Sequence, residues 1–291
     1  MISQTALLCA LARAIHSHRN KHMIFEDHFA LNFIGLKDFR YARNIAKKIL
    51  PENIKSNTSS LTRDLLNQYF SPIVLPRNRF AEDIVEAKQK NGKIQYVLLG
   101  AGLDSFSLRN KSGNVEVFEL DLHETQTFKI ERLKKISTQS HSQTHFVEID
   151  FNKDSIIDKL ISAGFDPNTP SIFSILGVSY YISIDVFFKT VSQVAQIMPQ
   201  GSGLIFDYYE KENRPSTAST KISRLKQITS ACGEVMVDGY DPSLVSVLAA
   251  KAGFNRFQDL SSRDIDKAFL KGDSDITALD GVHLVYIEKE A

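Results

Sequence analysis

Residues 96–104, Tyr-Val-Leu-Leu-Gly-Ala-Gly-Leu-Asp, restrict this chain more than any other stretch. Tyr96 to Leu99 are an unbroken apolar run, the pattern of a strand buried on both faces. Gly100 and Gly102 follow at once, and neither has a side chain to keep a ligand off the backbone. Asp104 is a good N-cap, so a helix can start near it. Strand, glycine turn and helix start together form the corner where a doubly wound sheet takes a nucleotide. A lone Gly-x-Gly is a common turn, so the rest of the chain must support that reading.

The elements around the turn alternate. Strands are expected over 95–99, 115–120, 145–149, 171–176 and 203–207. Helices are expected over 124–135, from a cap at Asn152 or Asp154 to 163, and over 183–198. A βαβ series with short joints implies a parallel sheet covered on both faces. Residues 282–288 suit an antiparallel last strand. Residues 1–73 show helical spacing and no strand alternation, with helices expected over 4–15, 24–34, 39–50 and from Ser59 or Ser60 to 70. Pro51 ends the third of these. Further helices are expected over 80–90, 219–232 and 243–252, and residues 210–221, which hold Pro215, read as a loop. The expected organisation is one domain over 1–291, with 1–73 as a helical cap and 209–241 as an inserted loop and helix.

Composition excludes several classes. Lys and Arg number 35 against 34 Asp and Glu, a net charge of +1, so no broad field draws the chain to nucleic acid or an anionic membrane. No apolar run approaches the roughly 20 residues of a membrane span. Residues 6–15 lack the charged flank and cleavage site of a signal peptide. Cys9 and Cys232 make no disulfide framework, which points to a reducing compartment, the cytoplasm. His16, His18, His22 and His28 crowd one region and His141 and His145 stand four apart, but no Cys and no His–carboxylate framework joins them, so no metal is expected. Asn57-Thr58-Ser59 fits a glycosylation sequon that a cytoplasmic chain would not use.

Two acids give the turn its meaning. Asp121 ends the second strand, nineteen residues beyond Gly102, where a carboxylate can accept from both hydroxyls of an adenosine ribose. Asp150 ends the third, where it can accept from an adenine amino group while Phe151 flanks the ring. Either could instead cap the helix that follows. A dinucleotide fingerprint wants a third glycine where Ser105 stands, and no Gly-Lys-Ser or Gly-Lys-Thr phosphate loop is present. S-adenosylmethionine has an adenosine and no phosphate, and its free carboxylate invites an arginine.

These residues resemble the leucine carboxyl methyltransferases and their bacterial S-adenosylmethionine-dependent relatives. The resemblance covers most of the chain. It runs through Thr5-Ala6 to Arg13-Ala14, Phe25-Glu26-Asp27-His28-Phe29-Ala30 (with His28 where proline is usual) and Arg77-Asn78-Arg79-Phe80-Ala81-Glu82-Asp83. It continues through Leu99-Gly100-Ala101-Gly102-Leu103-Asp104-Ser105, Val117-Phe118-Glu119-Leu120-Asp121 and Gly177-Val178-Ser179-Tyr180-Tyr181-Ile182.

The resemblance implies a class I methyltransferase fold: a mainly parallel, seven-stranded, Rossmann-like sheet with an antiparallel final hairpin and an N-terminal helical cap. It implies S-adenosylmethionine as cofactor. Arg79 would hold the cofactor carboxylate, with Arg77 as the fallback. Gly100 and Gly102 would contact the methionine portion, Asp121 the ribose, and Asp150 with Phe151 the adenine. Leu176 stands where the family usually carries a glutamate of the cofactor pocket. Tyr180, Tyr181, Tyr208 and Tyr209 follow strands four and five and can line an acceptor pocket or serve as packing aromatics. No catalytic base stands out. The expected activity is O-methyl transfer to a carboxylate or hydroxyl of a small molecule or a carboxyl terminus. The rival readings are an NAD-dependent oxidoreductase, which Asp121 would suit equally, and a cofactor-binding protein that has lost catalysis, suggested by Leu176.

Overall fold

The apolar runs of the sequence become the strands of one sheet. The computed structural model describes residues 3–19, 23–49, 60–136, 144–151, 153–211, 217–272 and 275–290. Among these, seven strands form: β1 (Ile94–Leu99), β2 (Val115–Asp121), β3 (Thr144–Glu148), β4 (Ser171–Ile175), β5 (Gly203–Tyr209), β6 (Arg256–Leu260) and β7 (Val282–Glu288). Their order is β3-β2-β1-β4-β5-β7-β6. The first five are parallel, with Leu99 opposite Leu120 and Asp121 opposite Glu148. β7 runs antiparallel between β5 and β6. Every residue of β1, β4, β5 and β7 is buried, as expected of central strands with both faces covered.

Helices α1 (Gln4–Arg19), α2 (Leu36–Ile49), α3 (Leu61–Tyr69) and α4 (Ser71–Gln89) precede β1. A short α5 (Phe106–Arg109) follows the glycine turn. Then come α6 (His123–Leu133), α7 (Ile156–Ser162), α8 (Ile184–Ala195), α9 (Thr217–Ala231), α10 (Pro242–Lys251) and α11 (Ser262–Ile265). One face of the sheet packs Phe118, Phe173 and Phe206 against Leu160 of α7, Phe187 and Val191 of α8 and Val245 of α10. The other packs Tyr96, Leu98 and Ile205 against Phe80 and Val85 of α4. Beyond the carboxyl ends of the strands, α1–α3 share a third cluster with Ile222, Leu225 and Ile228 of α9 and with Tyr180 and Tyr209.

Three expectations are corrected. The helix expected over 24–34 is an extended segment with one 3₁₀ turn, Ala30–Phe33. Asp27 explains this: its buried carboxylate accepts from the Ala30 N–H at 3.0 Å and pairs with Arg13 at 2.8 Å, and such side-chain bonding competes with a helix. The helix expected over 80–90 starts at Ser71, because Pro72 sits in the first turn where no N–H is needed. Pro76 deprives only the Pro72 carbonyl of its intrahelical donor. β6 supplies the seventh strand and final hairpin that the resemblance implies, at a place no sequence pattern marks. Ser155, not Asn152 or Asp154, caps α7. Pro51, Ser59, the 57–59 sequon, His22, His141, Asn152 and Pro215 lie outside the described residues.

Histidines near the start of the chain have local tasks. His16 Nε2 accepts from the Ile24 N–H at 2.9 Å, and His18 Nδ1 meets the Ala14 carbonyl at 2.9 Å. Among the described residues no group of three or more His, Cys, Asp or Glu could hold a metal ion. Among them too, no helix is long and apolar enough to cross a membrane.

The far end of the sheet holds a polar cluster around the buried His283, with Glu210 at its exposed rim. His283 on β7 places Nδ1 2.7 Å from Asp259 and Nε2 2.8 Å from Glu210, and Asp259 also accepts from the Tyr208 hydroxyl at 3.1 Å. Burial disfavours the imidazolium, but the two carboxylates outweigh it and hold the His283 pKa above the ordinary value of 6.5. A raised folded pKa stabilises fully below the unfolded pKa, and that contribution is lost as pH rises through the folded one. The wild-type melting temperature is therefore expected to fall between about pH 6.5 and the folded His283 pKa, by more than that of His283→Gln. Parallel melting curves of the two proteins check this, and identical pH slopes would contradict it.

Candidate functional site: a cavity at the carboxyl ends of the strands

β1 ends in a turn that only glycine takes easily. Gly100 has φ +77° and Gly102 φ +50°, both left-handed. A Cβ on Gly100 would meet Val178 Cγ2 at 3.0 Å, so the turn is closed by sterics as well as by φ. Asp121 at the tip of β2 holds the turn in place. One carboxylate oxygen accepts from the Gly102 N–H at 2.6 Å, the other from the Leu122 N–H at 2.7 Å. Burial raises the Asp121 pKa, and these two N–H groups oppose the rise. On the far side Arg13 of α1 donates to the Leu103 carbonyl at 2.6 Å and to Asp27 at 2.8 Å. Burial opposes the charge on Asp27, but Arg13 and Arg109 outweigh it and lower its pKa. Asp104 accepts from Phe106 N–H at 2.7 Å and from the Asn78 amide at 3.1 Å, so α4 also grips the turn.

α4 decides which arginine faces this place. Residues 77 and 79 lie about 200° apart around one continuous helix. Arg79 is half exposed and pairs with Asp83 at 2.7 Å on the outer side, away from the cavity lining. Arg77 lines the cavity. Its Nη1 donates to the fully buried Asp207 of β5 at 3.1 Å, and its Nη2 lies 3.8 Å from Cys9 Sγ. Its Nε is buried without a hydrogen-bond partner. The Asp207 carboxylate also accepts from Gly177 N–H at 2.6 Å. A Cβ at Gly177 would meet Arg77 Nη1 at 2.8 Å, so glycine there makes room for the guanidinium.

The cavity holds about 380 Å³. The glycine turn, Asp121, Leu122, Phe151, Leu176 and Gly177 line one end; Tyr69, Phe70, Tyr180, Tyr181, Met236 and Glu234 line the other. Phe151 and Leu122 are both substantially exposed. Asp150 neighbours Phe151 but is not part of the lining, and its carboxylate pairs with the exposed Lys153 at 2.8 Å. Leu176 is a partly buried apolar wall. Tyr180 is buried, stacks on Tyr209 at 5.7 Å and has no complete hydrogen bond at its hydroxyl. Burial and the Asp207 charge push that phenol well above 10. Tyr208 does not reach the cavity. It follows Asp207 on β5, so it points to the opposite face, where it stacks on His283 at 4.8 Å.

The sequence reading missed Arg13, Asn78, Leu122 and Glu234. Arg13 and Asn78 sit inside motifs that were recognised, and helical spacing could have placed them beside Cys9 and Arg77. Glu234 lies in a segment without pattern, and no local signal marks it.

A parallel sheet with an antiparallel β7 set between β5 and β6, and a cavity over its carboxyl ends, defines the class I methyltransferase fold. Solved structures agree at the level of fold. A DUF574 family protein from Streptomyces avermitilis aligns with a TM-score of 0.53 at 13% identity, over 86% of this chain and 97% of that one. A Thermobifida fusca protein titled "putative methyltransferase" aligns with a TM-score of 0.50 at 13% identity, over 88% and 90%. The sequence profile of the leucine carboxyl methyltransferase family matches residues 6–195, and the chain belongs to that family. Among curated proteins it is similar to YktD of Bacillus subtilis, named "Putative S-adenosyl-L-methionine-dependent methyltransferase", at 29% identity over 99% of this chain and 98% of YktD. A Parafrankia protein with the same designation is 28% identical over 71% of this chain and 63% of its own length.

Proposed function

We propose that this protein is an S-adenosylmethionine-dependent O-methyltransferase acting on a small molecule or a carboxyl terminus. The observation that carries the reading is Arg77: a largely buried guanidinium, its Nε unpartnered among the described residues, on a side chain that lines the same cavity as the Gly100–Gly102 turn and Asp121. A carboxylate is the group such a donor lacks, and the adenosyl methionine has one. Asp121 would accept from the ribose, and Leu122 with Phe151 would flank the adenine. Asp150 would meet the adenine amino group by releasing Lys153, a surface pair that contributes no more than about 1 kcal/mol. Gly100, Gly102 and Gly177 keep side chains out of the space the methionine portion needs.

When bound, the cofactor supplies a methyl group already activated by its sulfonium. The chain then has to hold an acceptor oxygen in line and limit water, to which the aromatic walls of the cavity contribute. An ionised carboxylate acceptor needs no base; a hydroxyl gains from one. An NAD-dependent oxidoreductase is disfavoured by Ser105 in place of the third glycine and by the family assignment. Leu176 supports a second reading, a cofactor-binding protein without transfer, which tight binding with no turnover on a broad acceptor panel would favour.

Calorimetry tests the cofactor assignment. S-adenosylhomocysteine is expected to bind at micromolar concentration and to raise the melting temperature, while NAD does neither. No heat with S-adenosylhomocysteine at high micromolar concentration would remove the assignment.

A further inference from the structure

Beyond the cofactor end, the charges in the cavity are sharply uneven. Among the described lining residues two are cationic, Arg13 and Arg77, and both are committed: Arg13 to Asp27 and the Leu103 carbonyl, Arg77 to Asp207. The remaining walls at this end are mostly aromatic and apolar, Tyr69, Phe70, Tyr180, Tyr181, Leu225 and Met236, with the hydroxyls of Ser3, Thr5 and Thr229 among them. Arg224 lies beside Tyr69 but does not reach the lining. One charge remains at this end, the carboxylate of Glu234.

Glu234 is held rigidly. It ties the start of α1, where one oxygen accepts from Ser3 Oγ at 2.8 Å and Thr5 N–H at 3.2 Å, and the other accepts from the Thr5 hydroxyl. A carboxylate offers about four acceptor positions. Among the described residues three are taken by these donors, which leaves the fourth for a donor from the cavity.

We propose that the acceptor is an uncharged hydroxyl compound on an apolar, aromatic-sized body, and that Glu234 sets this specificity by accepting from the hydroxyl and repelling anions. The inference rests on the methyltransferase reading, since that reading commits Arg77 to the cofactor carboxylate and leaves no free cation among the described lining residues for an anionic acceptor. It narrows the acceptor from a carboxylate or hydroxyl to the hydroxyl alone. Apolar walls that strip water from a ligand make an unpaired carboxylate there costly, whereas a neutral phenol loses little. The site's own negative charge adds repulsion to that desolvation.

The probes are 4-propylphenol and 4-propylbenzoate, matched in body and different in charge at pH 7. Binding to the full chain is measured by calorimetry with and without S-adenosylhomocysteine, whose own binding is recorded first on each sample. The phenol is expected to bind at least about tenfold more tightly than the benzoate. Glu234→Gln is expected to shrink that gap to under about threefold by strengthening the benzoate, while Glu234→Asp, which keeps the charge, retains it. Equal or tighter benzoate binding by the wild type, or no phenol binding at millimolar concentration, overturns the acceptor class. An unchanged gap in Glu234→Gln overturns the assignment to Glu234. Absence of S-adenosylhomocysteine binding strikes the methyltransferase reading instead, so the two failures are told apart.

Discussion

Arg77→Ala is expected to destabilise the protein by about 3–5 kcal/mol, lowering the melting temperature by roughly 6–20 °C, because it strands the Asp207 charge in the core. Asp207 is fully buried, and its remaining side-chain partner is the Gly177 N–H. The same change is expected to weaken S-adenosylhomocysteine binding roughly 10- to 100-fold, the loss of one charge-assisted contact. Arg79→Ala, two positions away, is expected to change stability by no more than about 0.5 kcal/mol and binding not at all. Its pair with Asp83 is exposed and spans one helical turn. Thermal melts and calorimetry on both variants read the contrast directly. Equal effects at 77 and 79, or a larger effect at 79, would return the carboxylate anchor to the position the family resemblance first suggested.

Asp121→Ala is expected to reduce S-adenosylhomocysteine affinity roughly 10²- to 10⁴-fold, since two hydrogen bonds to a charged acceptor contribute about 1.5–3 kcal/mol each. The loss has two sources. The ribose hydroxyls lose their acceptor, and the Gly102 and Leu122 N–H groups lose the carboxylate that shapes the turn. Asp121→Asn separates them: the amide oxygen retains one of these contacts, so the turn stays near its native form while the charge is gone. An intermediate loss is expected there, read by calorimetry on protein with an unchanged circular dichroism spectrum. Full affinity in Asp121→Ala would place the adenosine elsewhere.

The sheet was legible because its signal is local. Buried parallel strands show as apolar-rich runs: Tyr96–Leu99 is unbroken, and Val115–Leu120 and Ser171–Ile175 are interrupted only by Glu116 and Glu119 and by Ser174. β6 escaped because Arg256, Phe257 and Gln258 lie exposed on an edge strand, with no burial to impose a pattern. The site was legible in part for the same reason: Gly100, Gly102 and Asp121 belong to strand ends fixed by the topology. Arg79 turns away from the described cavity, which the sequence does not show while Pro76 to Arg79 is read as preceding a helix over 80–90. Once α4 is continuous, the helical period makes the choice. Asp27 shows the converse. An acid that pairs with an arginine fourteen residues away converts an amphipathic segment into an extended one, and no window of local sequence contains that partner. Glu234 reaches Thr5 across 229 positions and was equally invisible.

One strand carries a consequence for how securely this sheet is paired. Asp207 and Tyr208 are neighbours on β5, and each belongs to a separate buried polar cluster on its own side of the sheet. Sliding β5 by a single residue would bury the phenol against Arg77 and drive the carboxylate toward Asp259. Both misplacements are electrostatically poor at once, so the two clusters reject the same alignment error independently. Chemistry on one side and structural pairing on the other thus act as mutual proofreaders of the β4–β5–β7 alignment.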